Sequence, residues 1–207
     1  MNNIENILKT ILEELDKLDY IKSSEVPNID LYMDQVTTFM DSRLRKWARN
    51  PGNDKVMTKT MINNYAKNDL LPPPVKKKYS KEHVLLLLFI YYYKAFLSIN
   101  DIQTLLHPIT EKYFQNGQEF NLEALYEKVF NMERDEIEGL KQDIIEKYRM
   151  TENAFEEAGE DAEFLRKFAF ICLLSYDVYV KKAIIERMID DIAENMTSGN
   201  GQKETKK

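Results

Sequence analysis

The residues of this chain best suited to act on a partner are polar and basic side chains gathered between positions 58 and 78. Within Thr58–Asn68 the apolar residues Met61, Ile62 and Tyr65 recur at helical spacing. With those three turned to a core, the 3.6-residue period leaves Lys59, Thr60, Asn63, Asn64 and Lys67 on the solvent side, and Thr58 precedes them as an N-cap. A carboxamide can bond an adenine edge through both its groups, while Thr and Lys suit phosphates and the methyl or carbonyl edges of bases. Asn63 and Asn64 are therefore the base-reading candidates. Lys76, Lys77 and Lys78 follow as a run of three charges, read either as a solvated loop or as a clamp on phosphates. Together these nine residues are a candidate surface for double-stranded DNA.

Other chemistries find little to work with. The single cysteine, Cys172, excludes a disulfide framework, a CxxC pair and a cysteine-built zinc site, and its apolar surroundings predict a buried, inert thiol. His83 and His107, 24 positions apart, make a Ser-His-Asp triad or a histidine-rich metal centre a poor reading, and are expected as surface or cap residues. Six dispersed glycines build no phosphate-binding loop. No catalytic residue, metal or cofactor is expected, and the chain is not read as an enzyme.

Charge is segregated. From Arg43 to His83 eleven basic residues face three acidic ones, a net +8, which leaves −14 for the rest of a chain whose total is −6. A polyanion would be drawn to the first region and repelled by the second.

The elements that must hold this surface read as helices almost throughout. An amphipathic helix covers about 1–18, and another about 29–48, with Tyr32, Phe39 and Trp47 expected in the core. After Asn50-Pro51-Gly52 comes the short helix of about 59–68, closed by Pro72-Pro73-Pro74. Ser80 opens an apolar helix over about 81–96. Ser98 and Asp101 start one over about 99–106, ended by Pro108. Helices follow at about 122–132 and 134–149, then a long one at about 162–195 whose Phe168–Leu174 segment is apolar nearly all round and so calls for neighbours or a partner chain. Aromatic residues Phe155, Phe164, Phe168 and Tyr176 could line an apolar effector pocket, the effector itself being unknown. The longest apolar run, Val84–Tyr93, is ten residues, against about 20 for a membrane span. A cytoplasmic protein with no membrane partner is expected. The predicted organisation is a DNA-binding region at 1–115, a helical dimerisation or sensing region at 116–196, and a disordered polar tail at 197–207.

The order from Thr58 to Leu106 is a short polar helix, Leu70-Leu71-Pro72-Pro73, a basic segment, a Tyr79-Ser80 helix start, then Leu97-Ser98 followed by Ile102 and Leu105-Leu106. This resembles the DNA-binding domain of MerR-type winged-helix regulators. The resemblance implies that the short helix enters the major groove, that the basic segment is a wing on the flanking phosphates, and that the next two helices brace both. More closely, the blocks Pro27–Val36, Thr58–Pro74 and Lys78–His83 resemble an uncharacterised bacterial domain-of-unknown-function family related to it, over about Tyr20–Leu106. Asn63 stands where the MerR pattern commonly has Arg. The wing is shortened to Val75–Tyr79, and the Arg49–Met57 loop is longer than a tight helix-turn-helix.

The expectation is thus an all-α chain with a winged-helix-like N-terminal region and a C-terminal helical region. Its expected function is promoter binding as a homodimeric, MerR-like transcriptional regulator. The alternative is a helical protein–protein interaction module that has lost DNA binding.

Overall fold

A computed structural model describes residues 3–16, 20–50, 52 and 55–204. Among these residues the protein is all-α but for one small sheet. The helices are α1 Asn3–Asp16, α2 Met33–Leu44, α3 Lys59–Lys67, α4 Lys81–Tyr93, α5 Ile99–Tyr113, α6 Leu122–Asp135, α7 Ile137–Glu152 and α8 Ala162–Glu204; the strands are β1 Leu31–Tyr32 and β2 Lys78–Tyr79. None of these helices is long and apolar enough to cross a membrane.

The chain forms two units, one joining Met1–Tyr20 to Val129–Ile185 and the other joining Ile21–Lys128 to Glu186–Lys207. This differs from the predicted division at 115/116 at both ends. Helix α1 lies against α7, where Leu8, Ile144 and Leu174 surround Tyr148 and Phe170. The start of α6 belongs with the preceding helices: Phe89 meets Tyr126 edge-on at 5.3 Å, and the Tyr126 hydroxyl donates to the Ile21 carbonyl at 2.7 Å.

The core of the second unit is α4. From His83 to Ile90 every residue is buried, as the apolar run predicts, so this helix has neighbours on all sides. Also buried in this unit are Val36, Met40 and Leu44 of α2, Ile62 and Tyr65 of α3, the adjacent Leu70 and Leu71, Ile102 and Leu106 of α5, and Leu122 and Tyr126 of α6. The helix at 29–48 is shorter than expected. Leu31–Tyr32 instead pairs antiparallel with Lys78–Tyr79, and the Gln35 side chain then accepts from the Tyr32 N–H at 2.8 Å to start α2. Tyr32 is exposed rather than in the core, while the Trp47 side chain lies outside the described residues.

Three helix ends depart from the sequence reading. Helix α5 runs through Pro108 to Tyr113. Proline there removes one backbone bond, a cost of about 3 kcal/mol, but Ile102 and Leu106 anchor the helix and the Thr110 hydroxyl donates to the Leu106 carbonyl at 2.9 Å. Helix α4 stops at Tyr93, where Lys94 turns inward to donate to the Val56 carbonyl at 3.0 Å. Helix α8 continues through 197–204, where a disordered tail was expected: no proline intervenes, and extending a formed helix is far cheaper than nucleating one. Residues 205–207 lie outside the described residues.

His83, expected as a surface or cap residue, is a cap residue but a buried one, 1% exposed. Its Nδ1 accepts from the Ser80 N–H at 3.0 Å, filling the third helical position of a capping box, so the ring proton sits on Nε2. Tyr79 and Phe114 pack edge-on against the ring at 5.6 and 4.8 Å. Nε2 makes no hydrogen bond of ordinary geometry. Burial holds the His83 pKa below its usual 6.5, and the nearby Pro73 and Pro72 carbonyls and Asp30 do not offset it. The unfolded chain therefore takes up the proton first as pH drops. The stability due to neutral His83 is whole above about pH 6.5 and is lost progressively as pH falls from there towards the depressed folded value. Urea unfolding at a series of pH values should show this loss in the wild type and a shallower dependence in His83→Gln, which retains an acceptor for the Ser80 N–H; equal slopes would contradict the assignment.

Candidate nucleic-acid interface

The polar face of α3 forms as the spacing predicts. Ile62 and Tyr65 are buried and Met61 half-buried, while Lys59, Thr60, Asn63, Asn64 and Lys67 are exposed. The Thr58 hydroxyl accepts from the Met61 N–H at 3.2 Å, so this residue is engaged as the N-cap. Its remaining capacity is one O–H donor beside the first turn. The helix ends in a turn fixed by Tyr65, whose carbonyl accepts from the Leu70 and Leu71 N–H groups at 2.9 and 3.3 Å, with Asp69 left-handed between (φ 54°).

The three prolines hold the chain extended into a hairpin. Val75 and Lys78 exchange both backbone bonds, at 3.1 and 2.9 Å, with only Lys76 and Lys77 between them. Both central residues have positive φ, 50° and 64°, the signature of a type I′ turn. The shortened wing is thus a two-residue hairpin rather than an irregular loop. Such turns favour Asn-Gly, whereas a left-handed lysine costs roughly 1–2 kcal/mol. The strain places two lysines at the outermost point of the turn, both exposed.

The segment Tyr32–Asp34 links hairpin and helix, and the sequence reading missed it. Lys78 Nζ lies over the Tyr32 ring, 5.2 Å from its centroid, and Lys59 pairs with Asp34 at the start of α2. The first turn of α3 and the base of the hairpin therefore meet the same three residues. A charge count gave no sign of this, because it treats Lys59 as free and Tyr32 as core.

Ion pairs divide the basic cluster. Arg45 binds Asp41 through two nitrogens at 2.8 and 2.6 Å, and the guanidinium pKa is raised by that hydrogen bond and the Asp41 charge. Lys81 meets Glu123 at 2.6 Å and Arg43 lies 3.8 Å from Glu25. Lys94 is drawn inward and burial lowers its pKa. Among the described residues Lys67, Lys76 and Lys77 make no ion pair, and Lys67 stands one turn beyond the exposed Asn63 and Asn64 on α3. Of the nine predicted residues, one is a cap, one is neutralised by Asp34, one rests on an aromatic ring, and six present free polar or cationic groups.

Nothing comparable is assembled elsewhere among the described residues. No group of three or more His, Cys, Asp or Glu side chains is placed to hold a metal. The expected apolar pocket does not form: Phe164, Phe168 and Tyr176 are exposed on α8, and Cys172, expected buried, is exposed beside them.

Residues 21–129, just over half of the chain, match the family model described as a domain of unknown function (DUF1836), and the chain belongs to that family. The match coincides with the Ile21–Lys128 segment of the second unit. No curated protein and no solved structure matches the chain.

Replacing Lys76-Lys77 by Asn-Gly should relieve the left-handed strain and raise the unfolding midpoint by about 2–6 °C. Differential scanning calorimetry checks this; a lowered midpoint would show that the lysines are not strained there.

Proposed function

We propose that this member of the DUF1836 family binds double-stranded DNA as a transcriptional regulator of MerR-like type, with α3 in the major groove and the Lys76-Lys77 hairpin on the adjoining phosphates. The observation that carries the reading is the hairpin itself: a strained turn that fold stability alone would fill with Asn-Gly is filled with two unpaired cations, and the hairpin's Lys78 and α3's Lys59 both meet the Tyr32–Asp34 segment. Lys67, Lys76, Lys77 and Lys78 displace counterions from the DNA backbone and fix the register, which supplies affinity without sequence preference. Asn63 and Asn64, the exposed amides of α3, supply discrimination through base edges. Lys59 leaves Asp34 for a phosphate, or stays paired and keeps Asp34 from repelling the DNA.

A second reading draws on apolar exposure at the same edge. Ile29, Tyr32 and Val75 are each more than half exposed, which suits a protein partner. The two readings separate by salt. Four phosphate contacts predict an affinity loss on the order of 100-fold between 50 and 200 mM salt, whereas a protein interface held by these apolar residues would change little.

Fluorescence anisotropy against fragments of the source genome, including the region upstream of the protein's own coding sequence, tests the proposal. Binding should weaken with salt and collapse in Lys76→Glu/Lys77→Glu/Lys78→Glu. In Asn63→Ala/Asn64→Ala the preference between fragments should be lost while salt-dependent affinity is largely kept. A wild-type protein that binds no fragment at low salt contradicts the DNA reading and leaves the protein-partner one.

A further inference from the structure

The hairpin that carries Lys76 and Lys77 is fastened at its base by few groups. Its return strand, β2, is two residues long and pairs with the two residues of β1. One step beyond, the Ser80 N–H donates to Nδ1 of His83 at 3.0 Å, and the Ser80 hydroxyl lies 2.8 Å from the same nitrogen. The His83 ring is enclosed by Tyr79 of β2 and by Phe114, which closes α5. Its far nitrogen, Nε2, is buried without a hydrogen bond of ordinary geometry beside the Pro72 and Pro73 carbonyls, on the stretch leading from α3 into the hairpin. The chain entering the hairpin and the chain leaving it therefore meet one imidazole, carried by the first turn of α4.

This joint works with one protonation state. Nδ1 must offer a lone pair to the Ser80 N–H, so it carries no proton. A proton there sets two donors against each other and puts a positive charge in a helix N-terminus, where the macrodipole disfavours it. The Ser80 hydroxyl can accept from the new Nδ1–H, but that bond leaves the Ser80 N–H without its acceptor. The surrounding charges do not reverse this. Asp30, ahead of β1, favours the imidazolium and is outweighed by burial of the ring. On α4, Glu82 accepts from the Gln115 N–H at 2.8 Å, with its carboxyl pKa raised by burial and by Glu123 of α6, while Lys81 is paired with Glu123 at 2.6 Å. Burial also raises the Tyr79 phenol on β2, which stays neutral.

We propose that His83 is a proton-operated latch on the hairpin: proton uptake at Nδ1 opens the Ser80 cap and the two-residue ladder beside it, so that the lysine tip is held in place at neutral pH and let go in mild acid. The opening is local, detaching residues 75–80 while Val84–Ile90 of α4 stays enclosed. With the hairpin open, the imidazole meets water and titrates near the ordinary histidine value of about 6.5. Linkage then raises the open fraction by up to about 10-fold between pH 7.5 and 5.5. That the tip serves DNA rests on the reading above; the latch does not, since it is made of groups inside the fold.

The test is amide hydrogen exchange of the full chain by NMR, corrected for intrinsic exchange rates, across the same pH interval. The Val75, Lys78 and Ser80 amides, each bonded in the closed hairpin, should lose up to about 10-fold in protection in acid. They should respond little to low urea, whereas the Leu87–Ile90 amides, freed only when the unit unfolds, should respond steeply. The acid response should vanish in His83→Gln and persist in Glu82→Gln, which places the proton on the ring. Hairpin protection that ignores pH, that follows urea as steeply as mid-α4, that falls equally in His83→Gln, or that no longer falls in Glu82→Gln would overturn the latch. A short mixed-sequence duplex at low salt should restore protection to the same three amides in acid. A hairpin that responds to acid through His83 but not to duplex overturns the DNA reading and leaves the latch standing.

Discussion

The burial of α4 is the constraint on which the rest of the second unit depends. A helix whose eight residues from His83 to Ile90 are all removed from water has no solvent face, so other elements must enclose it. This enclosure fixes where α3 and the hairpin can go. Tyr79 of β2 and the capping residue His83 touch, so the strand that carries the hairpin is tied to the first turn of α4. Tyr65 of α3 is buried in the same unit and its carbonyl sets the turn that leads through the prolines. The polar face of α3 and the lysine turn are what remains outside once those apolar residues are placed.

Electrostatics then refines what composition suggests. The +8 window attracts polyanions on paper, but Arg43, Arg45, Lys59 and Lys81 of it are answered by carboxylates. The cations without an ion pair among the described residues are fewer than the count implies, and they include Lys67 at the end of α3 and Lys76 and Lys77 at the tip of the hairpin. Exposed pairs contribute little to stability, so their effect here is on the field: each carboxylate offsets the charge of the cation it meets.

Much of this was legible in the sequence because it depends on local rules. The Thr58 cap, the Ser98–Asp101 capping box, the buried α4 and the exposed set Lys59, Thr60, Asn63, Asn64 and Lys67 all follow from spacing and capping chemistry. What was not legible depends on pairing between distant segments. Two-residue strands such as Leu31–Tyr32 have no period to detect, so Tyr32 read as helix and core when it is strand and exposed. His83 gave no sign of burial, since only its place in the cap and the rings of Tyr79 and Phe114 enclose it. Lys76-Lys77 defies turn preferences, so the hairpin was read as a loop. In α8 the all-round apolar character was plain, and the single chain covers only one side of it.

The most direct test of the central claim is to map the contact surface residue by residue. In ¹H–¹⁵N spectra of the labelled full-length chain titrated with a duplex, the amides of Lys59–Lys67 and Val75–Tyr79 should shift in proportion to DNA added, while those of Phe164–Tyr179 stay in place. Shifts centred on another surface, or none at low salt, would contradict the account.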